Sequence, residues 1–301
     1  MSPIRTFLRE RKRLLLVLAA ALLAALIAVA PIVRPELRKW RTGVKEVSIG
    51  KATLSYRDLG TGSPAIVIVS GMACHKDSYY PLQKSLADKT RVLAYDRPGL
   101  GDSTPTDEPR TLEYIDQDMT AFLKARNVEP PYVLIGHSLG GHIERYYAEK
   151  HPNEVAGLVF IDHPHEDWFR YIRDTWTPEE AREYFEFWTA SNPGYEGAGK
   201  EELLAYGANC DLVRGMKIRP DMPVLMFTGS NDGHYRANPL SRDADRKAWG
   251  DMQASLLEGV TDAKHIVDWE CGHMLHKDKP EMVEREIEAF IDRVRAKQRS
   301  H

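Results

Sequence analysis

The sequence predicts an α/β chain: a mostly parallel, eight-stranded sheet with helices on both faces. Three observations carry that expectation. Short apolar runs rich in Val, Ile and Leu recur along the chain, as at Ala65–Ser70 and Tyr132–Ile135. Runs of that length and composition suit strands buried on both faces. Helix-compatible stretches alternate with them, which favours parallel pairing through crossover connections. The run Gly136-His137-Ser138-Leu139-Gly140 joins one such strand to a helix, and its glycines allow a sharp turn with the serine at the apex.

Taken in order, the chain begins with a targeting segment. Leu14–Val33 is free of charge, with Arg5, Arg9, Arg11, Lys12 and Arg13 before it and Arg34, Arg38, Lys39 and Arg41 after it. At ~1.5 Å per residue the run is about as long as one hydrocarbon core is thick. An uncleaved signal anchor fits that length, with the N-terminus cytoplasmic and the body exported. A cleaved signal peptide is the alternative, because Ala28-Val29-Ala30 offers small residues at a cleavage site. Pro31 and the length of the run argue against cleavage.

Residues 1–43 hold nine Lys/Arg and two Asp/Glu, leaving 32 basic and 42 acidic residues in the rest of a 301-residue chain. A body of net charge −10 offers nucleic acid no electrostatic footprint. The 43% hydrophobic content suffices for one sizeable domain.

Glu46–Ile49 and Ala52–Arg57 read as two strands of a hairpin. Ala65–Ser70 and Arg91–Tyr95 are buried strands. Thr111–Arg126 is a helix with apolar residues at Leu112, Ile115, Met119, Phe122 and Leu123. Tyr132–His137 leads into the serine turn, and His142–Lys150 continues as helix. Val155–Ile161, Pro223–Thr228 and Lys264–Trp269 complete the strands, and Glu281–Arg295 is an amphipathic closing helix. Residues 163–221 break the alternation with a charged, aromatic-rich insertion. The domain reading is therefore 1–43 for the anchor and linker, 44–162 with 222–301 for the core, and 163–221 for the insertion.

The candidate chemistry lies past strand ends. Ser138 sits at the elbow, Asp232 lies past the Pro223–Thr228 strand, and His273 lies past the last strand. The chain order Ser, Asp, His suits a nucleophile, a group that orients the base, and the base itself. Asp162, past the Val155–Ile161 strand, offers a second position for the acid. Asp162, His163, His165 and Glu166 together read as a polar loop rather than a metal site. His137, His142 and His276 read as structural. Cys74, Cys210 and Cys271 have no metal-type spacing. Cys74 and Cys271 allow either a disulfide or two free thiols. No metal and no cofactor is expected.

These residues give the chain a resemblance to the α/β-hydrolase superfamily over about residues 45–297. Besides the Gly136–Gly140 elbow, the resemblance rests on Tyr95-Asp96-Arg97-Pro98-Gly99-Leu100-Gly101-Asp102-Ser103 and on Gly272-His273-Met274-Leu275-His276 with Pro280-Glu281. It implies the α/β-hydrolase fold, a helical cap over the site at 163–221, and an oxyanion hole made by the backbone N–H groups of Met72 and Leu139. Two departures from the family pattern stand out. Ser70-Gly71 replaces the usual His-Gly pair, and His234–Lys247 forms a long polar insertion before the histidine. The implied activity is hydrolysis of a carboxylic ester through an acyl-enzyme. Thioesterase, lactonase, carbon–carbon bond hydrolase, acyltransferase and perhydrolase chemistries share the same triad. A non-catalytic binding protein on the same fold is the rival of another class. Trp168, Phe169 and Trp188 are the first candidates to line an acyl pocket.

Overall fold

The computed structural model describes residues 43–187, 195–229 and 243–300. Nearly all of the sheet lies in the compact unit Glu46–His301. The expected anchor at residues 14–33, Trp188 and Asp232 lie outside the described residues. Among the described residues no helix is long and apolar enough to cross a membrane.

Eight strands form one sheet: β1 (Val44–Ser48), β2 (Thr53–Leu59), β3 (Ile66–Val69), β4 (Val92–Tyr95), β5 (Tyr132–His137), β6 (Val155–Ile161), β7 (Val224–Thr228) and β8 (Ala263–Val267). Their spatial order is β1-β2-β4-β3-β5-β6-β7-β8. The pair β2/β4 is antiparallel, and every pair from β4/β3 through to β7/β8 is parallel. The expected strands are all present, with ends shifted by a residue or two.

The helices are α1 (Tyr80–Leu86), α2 (Leu112–Ala125), α3 (Leu139–Lys150), α4 (Trp168–Thr175), α5 (Pro178–Phe187), α6 (Gly197–Val213), α7 (Asp243–Ser255), α8 (Leu275–Asp278) and α9 (Pro280–Arg299). The sequence reading assigned no helix at α1 or α7. The stretch between β6 and β7, expected to be helical, contains α4, α5 and α6.

Side-chain alternation along the strands sorts the core into two layers. Val67, Val69, Leu93, Tyr95 and Leu134 pack with α2, with Ile143 and Tyr147 of α3, and with Tyr206 and Val213 of α6. Their neighbours Ile66, Ile68, Val92, Ala94 and Ile135 pack with Leu82 and Leu86 of α1 and with Val283, Ile287 and Ile291 of α9. Both faces of the central strands are thus apolar and covered, which explains their unbroken Val/Ile/Leu composition. At the C-terminal edge, β8 is largely exposed, and Lys264 pairs there with Glu286. Parallel strands send all their carboxyl ends to one edge of the sheet. The turns after β3, β5 and β6 therefore lie together, and functional residues on such sheets gather there.

Candidate active site

Ser138 stands between β5 and α3 with φ 52° and ψ −122°. That backbone is strained for a residue with a Cβ, at a cost of about 1–3 kcal/mol. The surrounding glycines show what holds it. A Cβ on Gly140 would lie 2.2 Å from the Val69 carbonyl oxygen, and one on Gly136 would lie 2.6 Å from the Gly140 carbonyl. Only bare backbone permits β3, β5 and α3 to meet so closely. The Ser138 amide donates to Ile161 O at 3.1 Å, and Ser138 O accepts from Gly141 N at 2.9 Å. His163 Nδ1 donates to the same Ser138 carbonyl at 3.3 Å. Burial, with neighbouring His142 and Arg145, holds His163 well below the ordinary histidine range. A neutral His163 matches its geometry, because Nε2 then accepts from Arg145, 3.4 Å away.

His273 follows β8 and keeps about a quarter of its side chain exposed. Its Nδ1 lies 2.7 Å from Asp162 Oδ2. The other oxygen of Asp162 accepts from Gly229 N at 3.0 Å, Trp249 Nε1 at 3.2 Å and Gln253 Nε2 at 3.5 Å. Asp162 thus has a donor from the end of β7, two from α7 and one from the histidine loop. The sequence expectation gave this role to Asp232. Asp232 lies outside the described residues; among the described residues the carboxylate bonded to His273 is Asp162. Asp162 reaches His273 because β6 runs directly beside β5, so the turn after it meets the elbow. Asp162 is held there at φ 43°, with its amide bonded to Phe227 O. The bond assigns the His273 tautomer, because a carboxylate accepts and Nδ1 must carry the proton. Nε2 then presents a lone pair.

The loop after β3 faces the elbow from the other side. A Cβ on Gly71 would lie 3.2 Å from Ser138 Cβ. Arg97, fully buried past β4, holds this loop from behind. It donates to Ser70 O at 2.7 Å, Ser70 Oγ at 2.9 Å and Gly71 O at 2.8 Å. The same guanidinium binds Glu202 of α6 with both oxygens, at 2.6 and 3.0 Å. Burial opposes the Arg97 charge, but Glu202 more than offsets it and raises its pKa. Glu202 Oε2 also accepts from Ala73 N at 2.9 Å, and Gly71 N donates to Tyr79 Oη at 3.0 Å. The amides on either side of Met72 are therefore both occupied. Leu139 opens α3, where first-turn amides lack intrahelical partners and favour negative charge.

The remaining sequence candidates lie in several environments. Trp168 is buried, edge-on to Trp249 at 4.8 Å and stacked on Tyr171 at 5.2 Å. It therefore packs against a residue that binds Asp162. Phe169 meets Tyr206 at 5.2 Å and Phe185 at 5.4 Å. Glu166 pairs with Arg145, and among the described residues no group of acidic, His or Cys side chains could hold a metal. Cys74, Cys210 and Cys271 are free thiols. Sequence reasoning missed Tyr79, Arg97, Glu202, Trp249 and Gln253 as site residues. Arg97 alone carried a local signal, a cation directly after a buried strand.

Comparison with known proteins agrees with the fold. A family model described as the alpha/beta hydrolase fold matches residues 64–186. A pimeloyl-(acyl-carrier protein) methyl ester esterase of Chromobacterium violaceum is 31% identical over 238 residues, covering 76% of this chain and 87% of the relative. Among solved structures, alpha/beta hydrolase domain-containing protein 10 from mouse superposes with a TM-score of 0.63 at 18% identity, covering 83% of this chain and 99% of the other. A membrane phospholipase A gives a TM-score of 0.61 at 23% identity, covering 95% and 99%. These two structural likenesses concern the fold. The chain belongs to the α/β-hydrolase family, and it is a hydrolase.

Proposed function

We propose that the chain cleaves a carboxylic ester through Ser138, His273 and Asp162. The observation that carries this reading is the 2.7 Å contact of His273 Nδ1 with Asp162, beside a serine held in a strained elbow. Asp162 fixes the imidazole with its proton on Nδ1 and stabilises the imidazolium that forms. His273 Nε2 takes the proton of Ser138 as Oγ attacks the ester carbonyl. The amides of Met72 and Leu139 receive the developing oxyanion. The tetrahedral adduct collapses, the imidazolium protonates the departing alcohol, and an acyl-enzyme remains. Water then gives a proton to Nε2 and attacks the acyl carbon, and Ser138 recovers its hydrogen as the acid leaves. The ester named for the Chromobacterium violaceum relative supports an ester as the substrate class.

A fluorophosphonate tests the reading, since attack by Oγ at phosphorus expels fluoride and leaves a stable adduct. The expected result is one adduct, on Ser138. Ser138→Ala should remain folded, take no label, and lose ester turnover by a factor on the order of 10³ or more. Retention of more than about a tenth of the wild-type rate contradicts the assignment.

A further inference from the structure

Tyr79 closes the single helical turn Lys76–Tyr79 and is fully buried beneath the site. Its hydroxyl lies 3.0 Å from Gly71 N and 2.7 Å from His137 Nδ1. His137 Nε2 in turn lies 2.9 Å from the backbone carbonyl of His273. The chemistry of the end groups fixes every proton in this chain of bonds. An amide can only donate, so Gly71 N–H points at Tyr79 Oη. A carbonyl can only accept, so His137 carries a hydrogen on Nε2. A neutral imidazole protonated there has its lone pair on Nδ1, and Tyr79 O–H donates to it. Three hydrogen bonds run in one direction, from the loop after β3 through the elbow to the histidine loop. Burial, with His273 and His276 nearby, holds His137 well below the ordinary histidine range. The neutral ring that the relay requires is therefore the stable one.

The packing ties the same three loops together. The rings of His137 and His273 lie 4.6 Å apart, and His276 stacks on Tyr79 at 4.9 Å. A Cβ on Gly71 would lie 3.0 Å from His137 Nδ1.

We propose that Tyr79 and His137 are positioning residues that lock the oxyanion loop, the nucleophile elbow and the catalytic histidine into one register. Neither touches the reacting atoms. The Tyr79 hydroxyl occupies the Gly71 amide and so orients the next amide, that of Met72. His137 holds the His273 main chain while Asp162 holds its ring, which leaves Nε2 a single direction. This role rests on the Ser138–His273 reading, but the relay itself can be measured without turnover.

Long-range ¹H–¹⁵N spectra of the full chain distinguish a hydrogen-bearing ring nitrogen from a bare one. His137, assigned by the loss of its signals in His137→Gln, should show a bare Nδ1 and a hydrogen-bearing Nε2. Tyr79→Phe removes one oxygen and leaves the ring. It should lower kcat about ten- to a hundredfold with KM changed less than about threefold, the signature of misplacement rather than lost binding. His137→Gln keeps a donor near the His273 carbonyl but removes the acceptor that Tyr79 needs. The double variant should be no slower than the slower single variant, because both break the same bond. A hydrogen on Nδ1, wild-type kcat in Tyr79→Phe, or fully additive losses would each overturn the proposal. Should Tyr79→Phe fail to fold, the tautomer spectrum of the wild-type chain still decides. A wild-type chain that takes no fluorophosphonate contradicts the serine-hydrolase reading instead, and the spectrum then tests the relay by itself.

Discussion

Glu202 and Glu144 are both fully buried, one on each flank of the serine, and they are held in opposite ways. Glu202 comes from α6 and grips Arg97 with both oxygens while accepting the Ala73 amide. Glu144 lies on α3 behind the elbow, where a Cβ on Gly136 would come within 2.7 Å of its carboxyl carbon. The neighbouring Arg145 directs its guanidinium to Glu166. Burial pushes Glu144 well above the usual carboxylate range. One flank is thus a loop with little structure of its own, fixed by a charged clamp. The other is a strand–helix turn fixed by close backbone contact, beneath which lies a carboxyl whose pKa burial raises. Like residues at like depth serve differently because Glu202 is gripped by a guanidinium, whereas the guanidinium beside Glu144 is bonded to Glu166.

The same substitution at the two positions breaks or sharpens this contrast. Glu202→Gln leaves Arg97 as a buried cation without its carboxylate, and losing one partner of such a pair costs about 3–5 kcal/mol. Urea unfolding should show that loss, and fluorophosphonate labelling of the folded fraction should slow as the loop loosens. A variant of wild-type stability and labelling rate would mean that the clamp does not hold the loop.

Glu144→Gln should do far less, and its sign should depend on pH. Glu144 has a folded pKa raised above its ordinary value of 4.5. The stability it contributes is fully present below that value and is lost as pH rises toward the folded pKa. Glutamine does not titrate, so the variant lacks this decline. Relative to wild type it should gain stability between about pH 4 and about pH 8. Thermal unfolding at both pH values checks this, and a variant that loses ground as pH rises contradicts a neutral Glu144.

The elbow and the histidine loop were legible in the sequence because their signals are local. Gly136, Ser138 and Gly140 lie within one turn, and the backbone contacts that require those glycines follow from strand–turn–helix geometry. The buried strands were legible for a similar reason, since covering both faces leaves an unbroken apolar run such as Ile66–Val69. The carboxylate partner of His273 was legible only as a pair of options. Asp162 and Asp232 each follow a buried strand, and nothing adjacent in sequence distinguishes them. What holds Asp162 toward His273 is non-local: donors from Gly229, Trp249 and Gln253, contributed by a later strand end and by a helix the sequence reading did not assign. Glu202 and Tyr79 were illegible for the same reason. Glu202 lies 129 positions from the amide it receives, and Tyr79 lies 58 positions from His137. No pattern of period two or 3.6 records such a meeting.

The carboxylate that orients His273 is the point on which the triad stands or falls. Ester turnover by Asp162→Asn and Asp232→Asn, measured on the full chain at one pH, decides it. Asp162→Asn should lower kcat by roughly 10⁴-fold, because the amide no longer holds His273 in the tautomer that leaves Nε2 bare. Asp232→Asn should change it by less than about threefold. A large loss at Asp232 with near wild-type turnover in Asp162→Asn would contradict the triad of Ser138, His273 and Asp162.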